Sequence, residues 1–266
     1  MHTLRLEQHG AVATVTLARP EVRNAFNDTA IAELTEVFTQ LRADPSARVV
    51  ILQAEGKAFC AGADLNWMKK MAGYSHEENL ADALGLAKML RAIYDCPKPV
   101  IARVQGDVFA GGMGLVAACD VAVTVSTARF CLSEVKLGLI PATIAPYVIR
   151  AMGARAAHRY FLTAEVFDAA EALRLGFVHE LAANASQLDE ATQRLAQAFL
   201  AASPNALAEC KRLLHDVAHA PIGDGLMHDT AQRIAHIRAS AEGREGVSSF
   251  LDKRAPAWLQ APECKA

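Results

Sequence analysis

Two stretches of this chain combine small residues with helix starts in a way that suits chemistry on a carbonyl. Phe59-Cys60-Ala61-Gly62-Ala63-Asp64-Leu65 follows an apolar run and enters an expected helix at Asn66-Trp67-Met68. Gly106-Asp107-Val108-Phe109-Ala110-Gly111-Gly112-Met113-Gly114-Leu115 does the same further on. Small side chains let a ligand approach the backbone, and the first turn of a helix carries N–H groups without intrahelical partners. Two such clusters facing one point form an oxyanion hole. Either stretch alone is weak evidence, because small-residue turns that merely pack are more common than sites.

The second stretch also matches GxGxxA at Gly112-Met113-Gly114-Leu115-Val116-Ala117, with Glu134 downstream where a ribose-binding acid belongs in dinucleotide folds. Several residues separate these glycines from the apolar run Val100 to Val104, which argues against that reading. His215 and His219 stand four apart on an expected helix without an HExxH pattern or a third ligand, so no metal is expected. Cys60 has no base beside it in sequence and is read as a packing residue. Lys69-Lys70 reads as a solvent-facing pair that could at most attract phosphates.

The elements that must hold these stretches alternate. Val12 to Leu17 alternates and is rich in β-branched residues, and the turn Arg19-Pro20-Glu21 follows it. Asn27 to about Leu41 carries Ile31, Leu34, Val37, Phe38 and Leu41 at helical spacing, and Ala81 to Tyr94 reads as a second helix. Val49 to Leu52, Val100 to Ala102 and Val121 to Val125 are short apolar runs of the kind buried on both faces. Strand, helix, strand, helix implies a mostly parallel sheet with crossovers. Beyond about residue 145 the strand signal fades. Ala154 to Leu162, Ala169 to Leu175, Asp189 to Ala202, Ala206 to His215 and Gly225 to Glu242 read as helices.

The 266 residues are 52% hydrophobic and 21% charged, enough for a large core, and the net charge of -2 offers no global field for nucleic acid or an anionic membrane. Arg5 and Glu7 interrupt any signal-peptide core, and no uncharged apolar run approaches about 18 residues. The six cysteines are scattered without a CxxC pair, as in a reducing compartment. A soluble, cytoplasmic protein is expected.

In order and spacing, Arg19 to Asn27, Phe59 to Leu65, Gly106 to Asp120 and Phe130 to Pro141 resemble the crotonase (enoyl-CoA hydratase/isomerase) superfamily. The ending Glu245 to Arg254, with Pro256 and Trp258, is similar to that family's C-terminus. The segment Phe130-Cys131-Leu132-Ser133-Glu134 resembles more particularly the bacterial methylglutaconyl-CoA hydratases and relatives acting on carboxygeranoyl-CoA. The resemblance implies an α/β fold: a spiral of strand-strand-helix turns over residues 1–195 and a helical oligomerisation region over 196–266, building a homotrimer or homohexamer. It places the oxyanion hole at the N–H groups of Ala63 and Gly111 and the acid/base at Glu134. Arg23 and Ala25 would border CoA, and Phe250 and Lys253 would reach a neighbour's CoA. Ala61, Asp64, Leu65, Trp67, Gly112 and Gly114 would line the substrate, with Met68 near the acyl tail. CoA enters as part of the substrate, and no separate cofactor is implied.

One departure bears on the reaction. Typical hydratases of the family carry two glutamates, and the positions matching them here are Gly114 and Glu134. Adding water calls for a base and an acid, whereas moving a double bond needs one base that takes and returns a proton. The closer resemblance favours an enoyl-CoA hydratase for a branched or carboxylated acyl group; the single glutamate favours a Δ3,Δ2-enoyl-CoA isomerase. A Gly114→Glu change is expected to restore the pair if space permits. A noncatalytic acyl-CoA or RNA-binding protein is the reading from another class, opposed by Glu134 and by the missing basic balance.

Overall fold

The computed structural model describes residues 1–259. These contain ten strands: β1 (Leu4–His9), β2 (Val12–Leu17), β3 (Val49–Ala54), β4 (Ala58–Cys60), β5 (Val100–Val104), β6 (Asp107–Phe109), β7 (Val121–Val125), β8 (Arg129–Cys131), β9 (Phe167–Asp168) and β10 (Glu180–Ala182). The helices are α1 (Asp28–Ala43), α2 (Leu65–Met71), α3 (His76–Tyr94), α4 (Gly111–Ala117), α5 (Ala145–Met152), α6 (Ala154–Thr163), α7 (Ala169–Arg174), α8 (Ala185–Ala201), α9 (Pro204–Val217), α10 (Asp224–Ala239) and α11 (Ala241–Leu251).

Six strands form one sheet in the order β1-β2-β3-β5-β7-β10. β1 and β2 make an antiparallel hairpin, and every other pairing in that sheet is parallel. The short strands β4, β6, β8 and β9 form a second sheet, parallel except for β8 against β9. The chain thus runs three times from the large sheet to the small one, as β3-β4, β5-β6 and β7-β8. Helical structure follows each pair, so the expected spiral of strand-strand-helix turns is present.

Burial explains why these segments are strands. Val100, Ile101, Ala102 and Val104 are fully buried, as a continuous apolar run in a parallel sheet requires. Helix α1 points Ile31, Leu34, Val37, Phe38 and Leu41 inward, and Asn27 caps it by accepting from Ala30 N–H at 3.0 Å. Helix α3 starts earlier than Ala81. Ser75 and Glu78 form a reciprocal capping box, a signal present in the sequence as Ser75-His76-Glu77-Glu78. The strands β9 and β10 lie in the region where the strand signal fades; at two and three residues they are too short to display a period of two.

Contacts divide the chain into two units. One comprises Met1–Cys96 and Val100–Ala196; the other comprises Pro97–Pro99 and the chain from Gln197 onward. In the second unit, the expected helix from Gly225 to Glu242 is two helices. Ser240 adopts an extended backbone and its hydroxyl accepts from Gly243 N–H at 3.0 Å, capping α11 where α10 ends. Glu242 accepts from the Ser203 hydroxyl and from Asn205 N–H, joining α11 to the start of α9. Helix α10 has no buried residue.

Candidate active site

The two small-residue stretches are pressed together in the first unit. A Cβ placed on Gly62 would lie 2.8 Å from Ala110 Cβ and 3.7 Å from Gly111 N, and Gly62 has φ of +91°. Glycine is required there on both counts. Phe26 bridges to this loop as an extra strand partner: its N–H donates to Gly62 O at 2.9 Å, and its carbonyl accepts from Asp64 N–H at 3.0 Å. A parallel bridge of this kind points the intervening Ala63 N–H the other way. Among the described residues no protein acceptor takes the Ala63 or Gly111 N–H. Gly111 is the first residue of α4, where such a donor is free by construction.

Backbone strain marks the same point. Ala110, just before α4, has φ of +49° and ψ of −122°, a region that residues with a Cβ rarely adopt. Its N–H donates to Cys131 O at 2.8 Å, which ties this turn to the end of β8. Helix α4 is itself poor in intrinsic helix formers, since Gly112 and Gly114 inside it each cost about 1 kcal/mol relative to alanine. Burial offsets that cost, with Met113, Leu115 and Val116 all in the core.

Ala63 and Gly111 open onto a cavity of about 680 Å³. Glu134 lies on its wall, at the start of a short 3-10 turn over Glu134–Leu137. Its Oε2 is buried and has no hydrogen-bond partner. Burial pushes the Glu134 carboxyl above its ordinary range, only partly offset by its own N–H. A partly buried carboxylate with an uncommitted oxygen, in the same cavity as two free N–H donors, has the makings of a proton-transfer site.

Of the residues expected to hold substrate, Ala61, Leu65 and Trp67 line this cavity, as do Ala63, Gly111, Glu134 and Met68. Asp64, Gly112 and Gly114 are not on the wall. Asp64 caps α2 by accepting from Asn66 N–H at 2.8 Å and Trp67 N–H at 3.4 Å, and it pairs with Arg19 at 2.8 Å. Burial raises the Asp64 carboxyl, but the Arg19 guanidinium and the two backbone donors outweigh it, so the group sits below its usual range. Gly112 serves close packing: a Cβ there would fall 2.7 Å from Cys60 O. At Gly114 a Cβ would fall 2.3 Å from Ile144 Cγ2. Ile144 therefore fills the space that a side chain at 114 needs, and a glutamate there would have to displace it.

Arg23 and Ala25 also lie off the wall, in the loop that braces it. Arg23 is exposed, and its carbonyl accepts from Ala61 N–H at 3.0 Å. The Ala25 carbonyl accepts from Arg19 at 2.7 Å. Phe250, 82% exposed, ends the α11 face of the second unit, and Lys253 follows it with φ of +54°. Cys60 is fully buried with its thiol pushed up to about 12 by burial, in keeping with a packing role. His219 lies beyond the end of α9, so the His215/His219 pair does not share a helix. No group of three metal-ligating side chains occurs among the described residues. The GxGxxA glycines are inside α4 and buried, not in a turn that could cradle a phosphate.

Sequence reasoning missed Asn79 and Asp82, which with Ala83 and Leu86 make one face of α3 against the cavity. Their spacing of three and four was available in the sequence, but the face mixes polar and apolar residues. It also missed Leu137 to Ile144, which closes another side.

The sequence pattern of the enoyl-CoA hydratase/isomerase family matches residues 7–261. A putative enoyl-CoA hydratase of Thermus thermophilus is 36% identical over 94% of this chain and 98% of its own. A carnitinyl-CoA dehydratase of Citrobacter koseri is 32% identical over 96% and 98%. The crystal structure of an enoyl-CoA hydratase from Shewanella pealeana superimposes with a TM-score of 0.94 at 45% identity, covering 97% of this chain and 96% of that one. The chain belongs to the enoyl-CoA hydratase/isomerase family of the crotonase superfamily.

Proposed function

We propose that this protein is an enoyl-CoA hydratase that adds water across the 2,3 double bond of an acyl-CoA thioester, with Glu134 transferring the proton. The observation that carries the reading is the unpaired, buried Glu134 Oε2 in one cavity with the free N–H groups of Ala63 and Gly111. The thioester oxygen accepts from those two donors. The oxygen of water bonds to C3 while Glu134 takes one of its protons, and the electron pair of the double bond moves toward the thioester, whose oxygen gains negative charge. Glu134 then gives that proton to C2. The net addition is H and OH, and the carboxylate is restored. A carboxyl raised by burial suits a group that must both accept and return a proton.

Among the described residues the wall contains two carboxylates, Glu134 and Asp82, and no Lys, Arg or His. That composition disfavours a carboxylated acyl group, which would lack a cationic partner. Arg23 and Ala25 are assigned to the CoA end. The second unit is assigned to a homotrimer or homohexamer, in which Phe250 and Lys253 reach a neighbour's CoA; α10 without a buried residue and the exposed Phe250 support it. Among the described residues Cys60, Cys96, Cys119, Cys131 and Cys210 form no disulfide, which suits a cytoplasmic location, and no helix there is long and apolar enough to cross a membrane.

One observation favours a second reading. With Ile144 filling the space beside Gly114, a single glutamate remains at the two expected positions, which suits migration of a double bond. Incubation with 2-enoyl and 3-enoyl CoA thioesters separates the two. Loss of the conjugated-thioester absorbance of the 2-enoyl substrate supports hydration, and its appearance from the 3-enoyl substrate without hydration supports isomerisation. Inertness toward both rejects both.

A further inference from the structure

We propose that the α3 side of the cavity selects acyl tails ending in a hydrogen-bond donor, a hydroxyl or an ammonium, and disfavours tails ending in a carboxylate, through Asp82 and Asn79. The inference deepens the acyl-CoA reading of this cavity and rests on it.

Position along α3 places these residues. Leu90 on the same helix comes within 3.4 Å of the point where a Cβ at Gly114 would sit, so that end of α3 lies beside the Gly114 position. Asp82 is eight residues earlier, roughly 12 Å along the axis at 1.5 Å per residue. Asp82 is thus well removed along α3 from the Gly114 position, where the family's other glutamate would stand. Asn79 lies about another turn beyond it.

The atoms left over are acceptors. Asp82 Oδ1 accepts from Trp67 Nε1–H at 3.1 Å, and no other protein donor reaches Asp82 among the described residues. That contact also uses the one donor of the Trp67 indole. Asn79 spends both amide hydrogens on the Tyr74 and Ser75 carbonyls, at 3.2 and 3.0 Å, which leaves its Oδ1 as an acceptor. Asn79 is exposed and Asp82 half-buried, and with acceptors available and donors committed they favour a ligand that donates over one that only accepts. Lys70 lies nearby but off the wall, exposed and paired with Asp28 at 3.3 Å. Burial, together with Asp28, raises the Asp82 carboxyl against the pull of the Trp67 hydrogen bond and Lys70, so an incoming donor has a strong partner to gain.

The test is a panel of 2-enoyl-CoA thioesters of six and eight carbons ending in methyl, hydroxyl, ammonium or carboxylate. kcat/KM is measured for the parent and for Asp82→Asn, and binding of the saturated analogues by calorimetry. The parent is expected to prefer the ammonium or hydroxyl tail over the carboxylate tail of equal length by tenfold or more. Asp82→Asn should shrink the ammonium-to-carboxylate ratio to within a factor of about three, each tail being read relative to the methyl tail of the same variant; a hydroxyl preference that survives would assign that part to Asn79. Equal parent values for ammonium and carboxylate tails, or a ratio untouched in Asp82→Asn, would overturn the inference while methyl-tail turnover keeps the hydratase reading. Should no thioester turn over, that activity fails, and the same ratios read from the binding of the saturated panel decide the inference. Absence of binding by every analogue overturns both.

Discussion

Two carboxylates, the buried Asp64 inside the first small-residue stretch and the half-buried Glu134 on the cavity wall, are used in opposite ways. Asp64 has every strong partner a carboxylate can ask for: two helix N–H groups and a guanidinium. Its carboxyl is held below the usual range despite burial. Glu134 has none for Oε2 and is pushed upward. A committed carboxylate fixes the loop that aims the Ala63 N–H. An uncommitted one is left with a proton to move.

The largest effect on stability should follow from breaking the committed group. Asp64→Ala removes a helix cap and strands Arg19, whose side chain is only 19% exposed. A loss of about 3 kcal/mol or more in denaturant melting is expected. A loss below about 1 kcal/mol would mean that the capped ion pair does not hold this loop. Because the Asp64 carboxyl is lowered on folding, its contribution is present above the unfolded pKa and disappears as the pH falls through the folded one, below 3.8. Acid melting of the parent should therefore contain a component that Asp64→Ala lacks.

A smaller effect of opposite sign is expected at Glu134. A carboxyl raised on folding contributes stability below its unfolded pKa and loses it as the pH rises through the folded value. At neutral pH the charge is a cost, so Glu134→Gln should melt at the same temperature as the parent or slightly higher, by less than about 1 kcal/mol. A clear loss of stability would recast Glu134 as a second structural anchor. The pH profile of kcat/KM sharpens the same point: turnover should rise with pH through an acid limb above the ordinary carboxylate value of 4.5, since Glu134 must start ionised.

Why one carboxylate differs from the other was only partly visible in the sequence. The parallel runs Val49 to Leu52, Val100 to Ala102 and Val121 to Val125 announce their strands, because burial on both faces leaves an unbroken apolar signature. The small-residue stretches could be read as backbone sites for the same local reason. The role of Asp64 could not, since it depends on Arg19, distant in sequence. The fate of Gly114 depends on Ile144, which arrives from another turn of the spiral, and Asp82 acquires meaning only beside Trp67. What escaped is nonlocal: side chains brought together by the fold with no repeating spacing to betray them.

The most direct measurement is turnover of 2-enoyl and 3-enoyl CoA thioesters by Glu134→Gln beside Asp64→Asn, with binding of a saturated acyl-CoA and melting followed in parallel. Glu134→Gln should lose about a hundredfold to ten-thousandfold in kcat while binding and folding stay near the parent. Asp64→Asn should lose stability first and activity only with it. If Glu134→Gln turns over both thioesters as fast as the parent, Glu134 is not the group that moves the proton.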